Sequence, residues 1–384
     1  MSYKTEKLFA DAHGIDKAIA LIRAGELVAI PTETVYGLAA NALDARAAAS
    51  IFAAKERPAF DPLIVHVPRA WQSSAALIDE GILSDQAMGP RQQQVIDSLI
   101  NAFWPGPLTI VAPKSTRIPD VVTSGLPTVG VRMPDHPVTQ VLLQRLALPL
   151  AAPSANRFGR ISPTSADHVL DELDGRIPAV LDGGRCEVGV ESTIVSVERD
   201  GSLTVLRPGG TSVEALREAL AFELKASPDL VRIHDSRTKA ANDAQLAMPA
   251  PGMLESHYAP AKGLLLMPPG TSAGLTRKDD ANISSFREKV RAQCPDFTKV
   301  GYLVPSGNPQ LHQKALESAL GVPVRVESLS PKGDLVEAAR NLFAAMRSLD
   351  SDTSLSCLVG EPCADDTGIA FAINDRLRRA SAGK

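Results

Sequence analysis

Two hydrophobic periodicities alternate along the N-terminal half of the chain. Segments such as GIDKAIALIRAGE and RQQQVIDSLINAFW carry apolar residues at the spacing of an amphipathic helix. They are followed by LVAIPTETV and GPLTIVAP, short apolar runs that are typical of buried strands. Interleaved helices and strands predict an α/β layer fold. The strand-like segments STIVSVE and LTVLRPG flank Asp200 and Gly201, which predicts a hairpin and therefore a mixed sheet.

A second α/β pattern begins after a stretch in which the periodicity fades. Proline, alanine, serine and charged residues mix between 227 and 261, and this composition indicates a linker. Beyond it, GLLLMP, KVGYLVP, VPVRVESL and SLSCLVGEP are strand-like, and GDLVEAARNLFAAMRSLDS is an amphipathic helix. Short strands separated by helices predict a small parallel sheet. We therefore predict one domain over residues 1–226, a linker over 227–261 and a second domain over 262–384.

Length and charge narrow the classes of function. The chain has 384 residues, more than a single hydrophobic core usually serves, which agrees with two domains. A net charge of -4 provides no overall basic field, and aromatic residues make up only 4% of the chain. Strong direct binding of nucleic acid is therefore not expected, since it needs clustered cations and stacking surfaces. Any site for a polyanion has to be local.

Cysteine use and hydropathy bear on the cellular compartment. The four cysteines include no CxxC pair and have no histidine at metal-ligand spacing, so we expect reduced thiols and no dedicated metal site. The N-terminal segment has no apolar core of a signal peptide, and no run of about 18 apolar residues is present. We expect a cytoplasmic protein that does not associate with membranes.

Two cations stand where a helix gives way to a buried strand. In IFAAKERPAFDPLIVHV, Lys55 and Arg57 end the helix and Pro58 precedes the apolar run. Cations at a helix C-terminus also offset the helix dipole without any ligand, and that explanation stays open. However, open α/β sheets bind ligands at such strand–helix junctions. We expect both cations to lie outside the core and to face an anion.

A second polar segment follows another apolar strand. In LPLAAPSANRFGRISPTSADHV, Ser154, Asn156 and Ser162 can donate hydrogen bonds to phosphate oxygens, and Arg157 and Arg160 add charge. A plain turn stabilised by serine and asparagine caps is the alternative. A third cationic turn, RPGG, begins at residue 207. We predict that the segments around residues 55 and 154 meet at one anionic ligand.

Standard nucleotide and hydrolase motifs are missing from the sequence. It contains no GxxxxGK[ST], no GxGxxG opening a helix, no HExxH and no GxSxG. The polar run PTETVYG, which includes Glu33 and Thr34, directly follows a buried strand and is either a turn or the wall of a pocket. His66 closes the strand LIVHV, where a satisfied core histidine is the more common finding.

Seven segments in order carry a resemblance to a known family. They are IPTETVYGLAANA, KERPAFDPLIVHV, FWPGPLTIV, VGVRMPDHP, AAPSANRFGRISPT, GVESTIVSV and LRPGG. Together they resemble the YrdC-like family, including its K-x-R and S-x-N elements. APGMLESHYAP and GIAFAINDRLRRA are similar to the longer, two-domain members, the threonylcarbamoyl-AMP synthases. The resemblance implies a twisted mixed sheet with helices and a deep cavity, followed by a smaller Rossmann-like α/β domain.

The resemblance also implies a reaction. L-Threonine, bicarbonate and ATP, with magnesium, would give threonylcarbamoyl-AMP, pyrophosphate and water. A separate tRNA threonylcarbamoyl transferase complex would then use the adenylate to modify tRNA. Such chemistry needs no covalent enzyme nucleophile, because positioning and neutralisation of the triphosphate charge are sufficient. Magnesium would bridge the phosphates with few protein ligands.

Carried over position by position, the resemblance implies three sets of residues. The catalytic residues would be Lys55, Arg57, Ser154 and Asn156. The ATP contacts would be Arg57, Asp61, Thr128, Ser154, Ser162, Arg207 and Tyr258. The threonine contacts would be Thr34, His66, Arg132, the backbone of Ala152, and Ser192. Tyr258 would make the linker a lid. A carboxylate at Asp61 would repel phosphate unless it holds a neighbouring cation or the metal.

Two other functions remain to be compared with this one. YrdC-like domains are also similar to proteins described as binding double-stranded RNA, and the net negative charge argues against that role here. A related domain occurs in carbamoyl transfer during hydrogenase maturation, but those proteins carry paired CxxC zinc fingers, which this sequence lacks.

Overall fold

The computed structural model describes residues 4–224, 230–234, 248–275, 280–295 and 297–382. Within these ranges the chain divides into two compact units. The first unit contains residues up to 158 together with 162–253, and the second contains 159–161 together with the residues from 254 onward. The predicted linker over 227–261 is described only in part, and its segment 248–253 belongs to the first unit.

The first unit is a mixed α/β layer structure. Its elements are β1 (Glu6–Phe9), α1 (Ala12–Arg23), β2 (Val28–Ile30), β3 (Gly37–Asn41), α2 (Ala45–Lys55), β4 (Ile64–His66), α3 (Ser74–Asp79), α4 (Pro90–Phe103), β5 (Leu108–Pro113), α5 (Asp120–Thr123), β6 (Thr128–Arg132), α6 (Pro137–Leu146), β7 (Leu150–Ala151), α7 (Ala166–Leu173), β8 (Ala179–Asp182), β9 (Thr193–Val197), β10 (Leu203–Arg207), α8 (Val213–Leu224) and β11 (Val231–Ile233). Among the described residues the strands form a single sheet in the order β1-β8-β2-β3-β7-β4-β6-β5-β9-β10-β11.

The centre of this sheet mixes parallel and antiparallel pairs. β4 pairs in parallel with β6 and antiparallel with β7, and β5 pairs antiparallel with β6 and in parallel with β9. β9 and β10 form the antiparallel hairpin that the sequence predicts around Asp200 and Gly201. The carboxyl ends of β4 and β6 therefore lie side by side, and His66 pairs with Arg132 in the register. Such strand ends are where ligands bind in open α/β sheets.

Capping by side chains explains where the helices around this centre begin. Asp11 accepts a hydrogen bond from Gly14 N at the start of α1, and Asp44 accepts from Arg46 N and Ala47 N at the start of α2. α2 ends at Lys55, because Glu56 adopts a left-handed backbone conformation. The turn that follows leads through Pro58 into β4. Residues 58–63 therefore separate the two cations of the K-x-R element from the first residue of β4.

The second unit contains the predicted parallel sheet. Its elements are β12 (Leu264–Leu266), α9 (Thr271–Leu275), α10 (Asp280–Gln293), β13 (Val300–Ser306), α11 (Pro309–Leu320), β14 (Val324–Ser330), α12 (Leu335–Ser351), β15 (Cys357–Gly360) and α13 (Gly368–Ser381). The strand order is β12-β15-β13-β14 and all three pairings are parallel. No helix in the described ranges has the length and apolar character needed to cross a bilayer.

Candidate active site

Arg132, at the end of β6, is the centre of a buried cluster in the first unit. Its Nη2 lies 2.6 Å from Glu33 Oε1, its Nη1 donates to Thr34 Oγ1 at 2.9 Å, and its Nε donates to the carbonyl of Gly106 at 3.2 Å. The PTETVYG segment is shaped locally by Thr32, whose hydroxyl donates to the carbonyl of Val35 at 2.6 Å. The guanidinium group is thereby held in one orientation within the core.

His66 lies beside Arg132 and is uncharged at neutral pH. The side chain is buried, and its Nδ1 is 3.3 Å from the carbonyl oxygen of Ile64. Burial, with the positive charge of Arg132 acting in the same direction, lowers the pKa of His66 to about 3. Ala152, just after β7, donates its backbone N–H to the carbonyl of Ile64 at 2.9 Å. The predicted threonine contacts at residues 34, 66, 132 and 152 therefore lie around neighbouring strand ends.

Ser192 connects this cluster to a second cation, Arg207. Its hydroxyl is 2.8 Å from Thr109 Oγ1, and Thr109 pairs with Arg132 in the antiparallel register of β5 and β6. Arg207 Nη2 donates to the carbonyl of Ser192 at 2.9 Å, and Arg207 Nη1 donates to the carbonyl of Pro251 at 3.1 Å. The register of β10 against β9 shifts between Val205 and Arg207, a bulge that re-aims the arginine.

Gly209 allows the RPGG turn to approach Ser192 closely. A Cβ atom at this position would lie 2.3 Å from both the carbonyl oxygen of Glu191 and the carbonyl carbon of Ser192. Any side chain there would have to push the backbone of residues 191–193 away. The glycine is therefore needed for the contact between Arg207 and Ser192, and not for an unusual backbone angle.

Lys55 is buried and joins the two segments that the sequence singles out. Its Nζ lies 2.5 Å from the carbonyl oxygen of Ser154 and also donates to the carbonyl of Asn156. Burial lowers the pKa of Lys55 well below its usual range, and the charge of Arg57 acts in the same direction. The expectation that both cations lie outside the core is wrong, because Lys55 is 1% exposed and Arg57 is 8% exposed. Hydrogen bonds to main-chain carbonyls satisfy the amino group there.

Arg57 is held by Asp61 and by the chain around it. Its Nη2 lies 2.9 Å from Asp61 Oδ2, and its Nε and Nη2 donate to the carbonyls of Asp61 and Pro62 at 2.9 and 2.8 Å. Burial raises the pKa of the Asp61 carboxyl, while the charges of Arg57, Lys55 and Arg207 oppose that rise. Burial outweighs these charges, so the pKa of Asp61 stays above its usual range even beside Arg57.

The S-x-N segment is fixed against the start of β3. Ser154 forms a bridge with Gly37, and the amide of Ala155 donates to the carbonyl of Tyr36 at 2.8 Å. The Asn156 side-chain amide donates to the carbonyl of Arg157 at 2.7 Å. Ser162, further along, donates its hydroxyl to Glu191 Oε1 at 2.5 Å, which places it next to the Ser192 segment. Ser154 and Asn156 thus lie against Lys55, while Ser162 lies next to the segment that contains Ser192.

Thr128, another of the predicted ATP contacts, lines a narrow cleft in the first unit. Its wall includes Thr109 of β5, Ile194 of β9 and Pro62, which follows the Arg57–Asp61 pair. The segment Pro249–Pro251 closes another side, and Pro251 is the residue whose carbonyl accepts from Arg207. The cleft is therefore lined by Pro62, whose carbonyl accepts from Arg57, and by Pro251, whose carbonyl accepts from Arg207.

Tyr258 lies in the second unit. Its ring packs against Phe343 with centroids 5.5 Å apart, and the guanidinium carbon of Arg376 lies 5.2 Å from its centroid. Its backbone has a positive φ of 63°, which is uncommon for a residue with a side chain. Asp375 and Arg376, near the C-terminus, are buried in this unit rather than solvated. The predicted contact of Tyr258 with ATP stays a prediction.

Sequence reasoning missed some of the residues that complete the site. Glu33 appears in the PTETVYG segment only as one of several polar residues, yet it is the ion-pair partner of Arg132. Glu191 and Thr109 are the partners of Ser162 and Ser192. A buried arginine in a strand such as VGVRMP signals that a carboxylate must be near, because an unpaired charge is costly to bury. The sequence does not say which carboxylate that is.

Comparisons with known proteins agree with this architecture. The Sua5/YciO/YrdC family model, described as telomere recombination, matches residues 20–209. The model described as the C-terminal domain of threonylcarbamoyl-AMP synthase matches residues 211–382. The two models together account for nearly all of the chain and divide it close to the end of the first unit's hairpin.

Full-length relatives support the same conclusion. The threonylcarbamoyl-AMP synthase of Pyrococcus abyssi is 37% identical over 366 residues, which cover 95% of this chain and 93% of the relative. The enzyme of the same name from Bacillus subtilis is 35% identical over 381 residues, covering 99% and 96%. The crystal structure of P. abyssi Sua5 complexed with L-threonine superposes with a TM-score of 0.78 at 35% identity, covering 99% of this chain and 98% of that one.

Fold, site and relatives define an α/β enzyme of the nucleotidyltransferase type. The match extends over both units rather than over one shared domain. The chain belongs to the threonylcarbamoyl-AMP synthase family.

Proposed function

We propose that the protein converts L-threonine, bicarbonate and ATP into threonylcarbamoyl-AMP, pyrophosphate and water. The observation that carries the proposal is the link from Arg132 through Thr109 and Ser192 to Arg207, which brings the buried Arg132 cluster close to a second cation. The names of the full-length relatives and the L-threonine in the P. abyssi structure support the choice of substrate.

The amino acid is assigned to the Arg132 cluster. Of the five N–H groups of a guanidinium, Arg132 uses three for hydrogen bonds within the described part of the chain, which leaves one on Nη1 and one on Nη2. These two suit the oxygens of a carboxylate in a charge-assisted pair. The neutral ring of His66, the hydroxyls of Thr34 and Ser192 and the backbone of Ala152 supply further polar contacts around it.

The triphosphate is assigned to the second group of residues. Arg57 and Arg207 supply fixed positive charge, and Thr128, Ser154 and Asn156 supply hydrogen-bond donors. Ser162 would contact a phosphate once its hydroxyl turns away from Glu191 Oε1. Lys55 holds the S-x-N segment through its carbonyls, and a nearby anion would raise the pKa of its amino group and favour the charged form. No group of three possible ligands that could hold a metal ion alone occurs among the described residues. Magnesium is therefore treated as part of the substrate MgATP.

The chemistry can proceed with binding groups only. The ammonium group of threonine first releases a proton to solvent, and the resulting amine combines with bicarbonate to a carbamate with loss of water. A carbamate oxygen then attacks the α-phosphorus while pyrophosphate leaves. The site residues orient the carbamate in line with the phosphorus and neutralise the charge that develops on the phosphates. Walls built from buried apolar strands keep water from the adenylate. The proposal includes Tyr258 and the segment around it as a lid over ATP.

The proposed place of this reaction is the cytoplasm, in tRNA modification. A mixed anhydride of a carbamate and AMP is a reactive group-transfer reagent, so a separate transferase must consume it. We propose a tRNA threonylcarbamoyl transferase complex as that consumer. The net charge of -4 supports a role in which this enzyme supplies the adenylate and does not itself bind the tRNA strongly.

Pyrophosphate release tests the proposal directly. Purified protein with MgATP should release pyrophosphate only when L-threonine and bicarbonate are both present, and mass spectrometry should detect threonylcarbamoyl-AMP. Omitting either small substrate is the internal control. Binding of double-stranded RNA at physiological salt without such turnover would replace the synthase with an RNA-binding function.

A further inference from the structure

Only one of the two carboxylate oxygens of Glu33 takes part in the contact with Arg132. Oε1 pairs with Arg132 Nη2 at 2.6 Å, whereas Oε2 is buried and has no hydrogen-bond partner among the described residues. The residue as a whole is 5% exposed. A buried carboxylate oxygen without a donor costs free energy, so such an atom usually serves a ligand.

Within the described part of the chain, the other side chains that interact with Glu33 electrostatically, His136 and Cys186, do not supply a second cation. Burial lowers the pKa of the neighbouring His136, which keeps its ring neutral, and burial raises the pKa of the nearby Cys186 thiol. The Thr34 hydroxyl is already engaged with Arg132 and Thr32. Arg132 is therefore the one cation among these neighbours, and it contacts only one of the two carboxylate oxygens.

The pair of charges matches the form of an amino acid in water. A free α-amino acid is a zwitterion, with its ammonium and carboxylate groups separated by a single carbon. Arg132 retains two N–H groups for a carboxylate, and Glu33 retains one oxygen for a cation, side by side in the same cluster. A site with both signs of charge binds a zwitterion without burying net charge.

We propose that Glu33 Oε2 accepts a hydrogen bond from the α-ammonium group of the amino-acid substrate while Arg132 holds its carboxylate. This inference rests on the proposed function, because it assigns the substrate of that site. Its consequence is specificity: the site recognises the free α-amino group that is to be carbamoylated. Glu33 is then a substrate-binding residue and not only a support for Arg132.

The test compares L-threonine with (R)-3-hydroxybutyrate, which has the same carbon chain, carboxylate and hydroxyl but lacks the ammonium group. Isothermal titration calorimetry measures the Kd of both for the full-length protein. A charge-assisted hydrogen bond contributes roughly 10- to 100-fold in affinity. Wild-type protein should bind L-threonine at least about 10-fold more tightly than the hydroxy acid.

The variant E33Q distinguishes binding of the substrate's ammonium group from support of the Arg132 side chain. Its amide oxygen can still accept from Arg132 Nη2, while the negative charge opposite the ammonium group is lost. We expect E33Q to bind L-threonine about 10- to 100-fold more weakly and to bind the hydroxy acid almost unchanged. The exposed residue Glu80 provides the matched control, E80Q, which should leave both Kd values unchanged.

Other results would overturn the inference. Equal weakening of both ligands in E33Q would mean that Glu33 acts only through Arg132, and no weakening would mean that it does not face the substrate. If E33Q does not fold, E33D takes its place. E33D withdraws both carboxylate oxygens, including the one that contacts Arg132, so the expected result is then a larger loss of affinity for L-threonine than for the hydroxy acid. Equal affinity of the wild type for both ligands also refutes the inference. Failure of the proposed function is a separate result, namely no pyrophosphate release with threonine and bicarbonate.

Discussion

The amino group of Lys55 lies 2.5 Å from the carbonyl oxygen of Ser154, 99 residues further along the chain. It also donates to the carbonyl of Asn156, so one side chain joins the end of α2 to the S-x-N segment. The cation of the K-x-R element thus shapes the site from inside the core, in addition to any contact it makes with a ligand. The stability and the activity of the protein should therefore change together when it is removed.

Replacing Lys55 by methionine tests this linkage. K55M keeps the length of the side chain but leaves two carbonyls without their donor, which costs about 1–3 kcal/mol for each if water cannot reach it. We expect a lower free energy of unfolding in urea and loss of pyrophosphate release. K17M, at an exposed lysine paired with Glu6, should change stability by less than about 1 kcal/mol. Full stability of K55M would contradict the tethering role.

The buried His66 should make the protein acid-sensitive. Its pKa is about 3 in the folded state and 6.5 in the reference state, so the unfolded chain takes up a proton first as the pH falls. His66 leaves the free energy of unfolding almost unchanged above pH 6.5 and lowers it by about 2 kcal/mol at pH 5. Urea unfolding at pH 7.5 and at pH 5 should show a smaller decrease in the free energy of unfolding for H66Q than for the wild type. H13Q, at an exposed histidine, should follow the wild type.

Replacing Arg132 by lysine tests the assignment of the amino-acid site. R132K keeps a positive charge but cannot make the three protein contacts and still present two donors to a carboxylate. We expect the KM for L-threonine to rise at least about tenfold, with a much smaller change in the KM for ATP. R69K, at an exposed arginine paired with Asp135, is the matched control. Equal effects on both KM values would argue against the assignment.

Gly209 offers a test of the contact between Arg207 and Ser192. In G209A the new methyl group would meet the backbone of residues 191 and 192 at 2.3 Å, so those residues have to move. We expect a destabilisation of about 1–3 kcal/mol and a lower kcat/KM for both ATP and threonine. In contrast, G274A adds a methyl group with no atom within 4 Å, and its activity should be that of the wild type.

Tyr258 allows the proposed lid to be tested without disturbing the core. Y258F keeps the ring that packs on Phe343 and Arg376 and removes only the hydroxyl. If that hydroxyl contacts ATP, kcat/KM for ATP should fall about tenfold while the melting temperature stays nearly constant. Y302F removes a hydroxyl that donates to Glu361 at 2.7 Å, and it should lower stability but not activity. Full activity of Y258F would remove Tyr258 from the site.

The sequence predicts the regular elements where local pattern and packing agree. The hairpin of β9 and β10 and the parallel sheet of the second unit follow from apolar runs bounded by turn residues. Three strands of the larger sheet have no counterpart in the sequence prediction: β1 and β11 at its edges and β3 in its interior, and β11 falls in the predicted linker. β1, EKLF, has one buried residue out of four, and β3, GLAAN, consists mostly of small residues with low strand propensity. Their pairing with distant strands, rather than their own pattern, makes them strands.

The sequence by itself determined which side chains follow the apolar runs, such as Arg57 after α2, Arg132 at the end of β6 and Ser154 after β7, because the order of residues along an element is a local property. Only the tertiary structure decided the partners. Glu33 contacts Arg132, 99 residues further along the chain. Lys55 donates to main-chain carbonyls, and because every residue has a carbonyl, the sequence does not indicate which ones it contacts. Contacts of this kind depend on which strands become neighbours in the sheet, and sheet order is set by the energy of the whole fold rather than by any one segment.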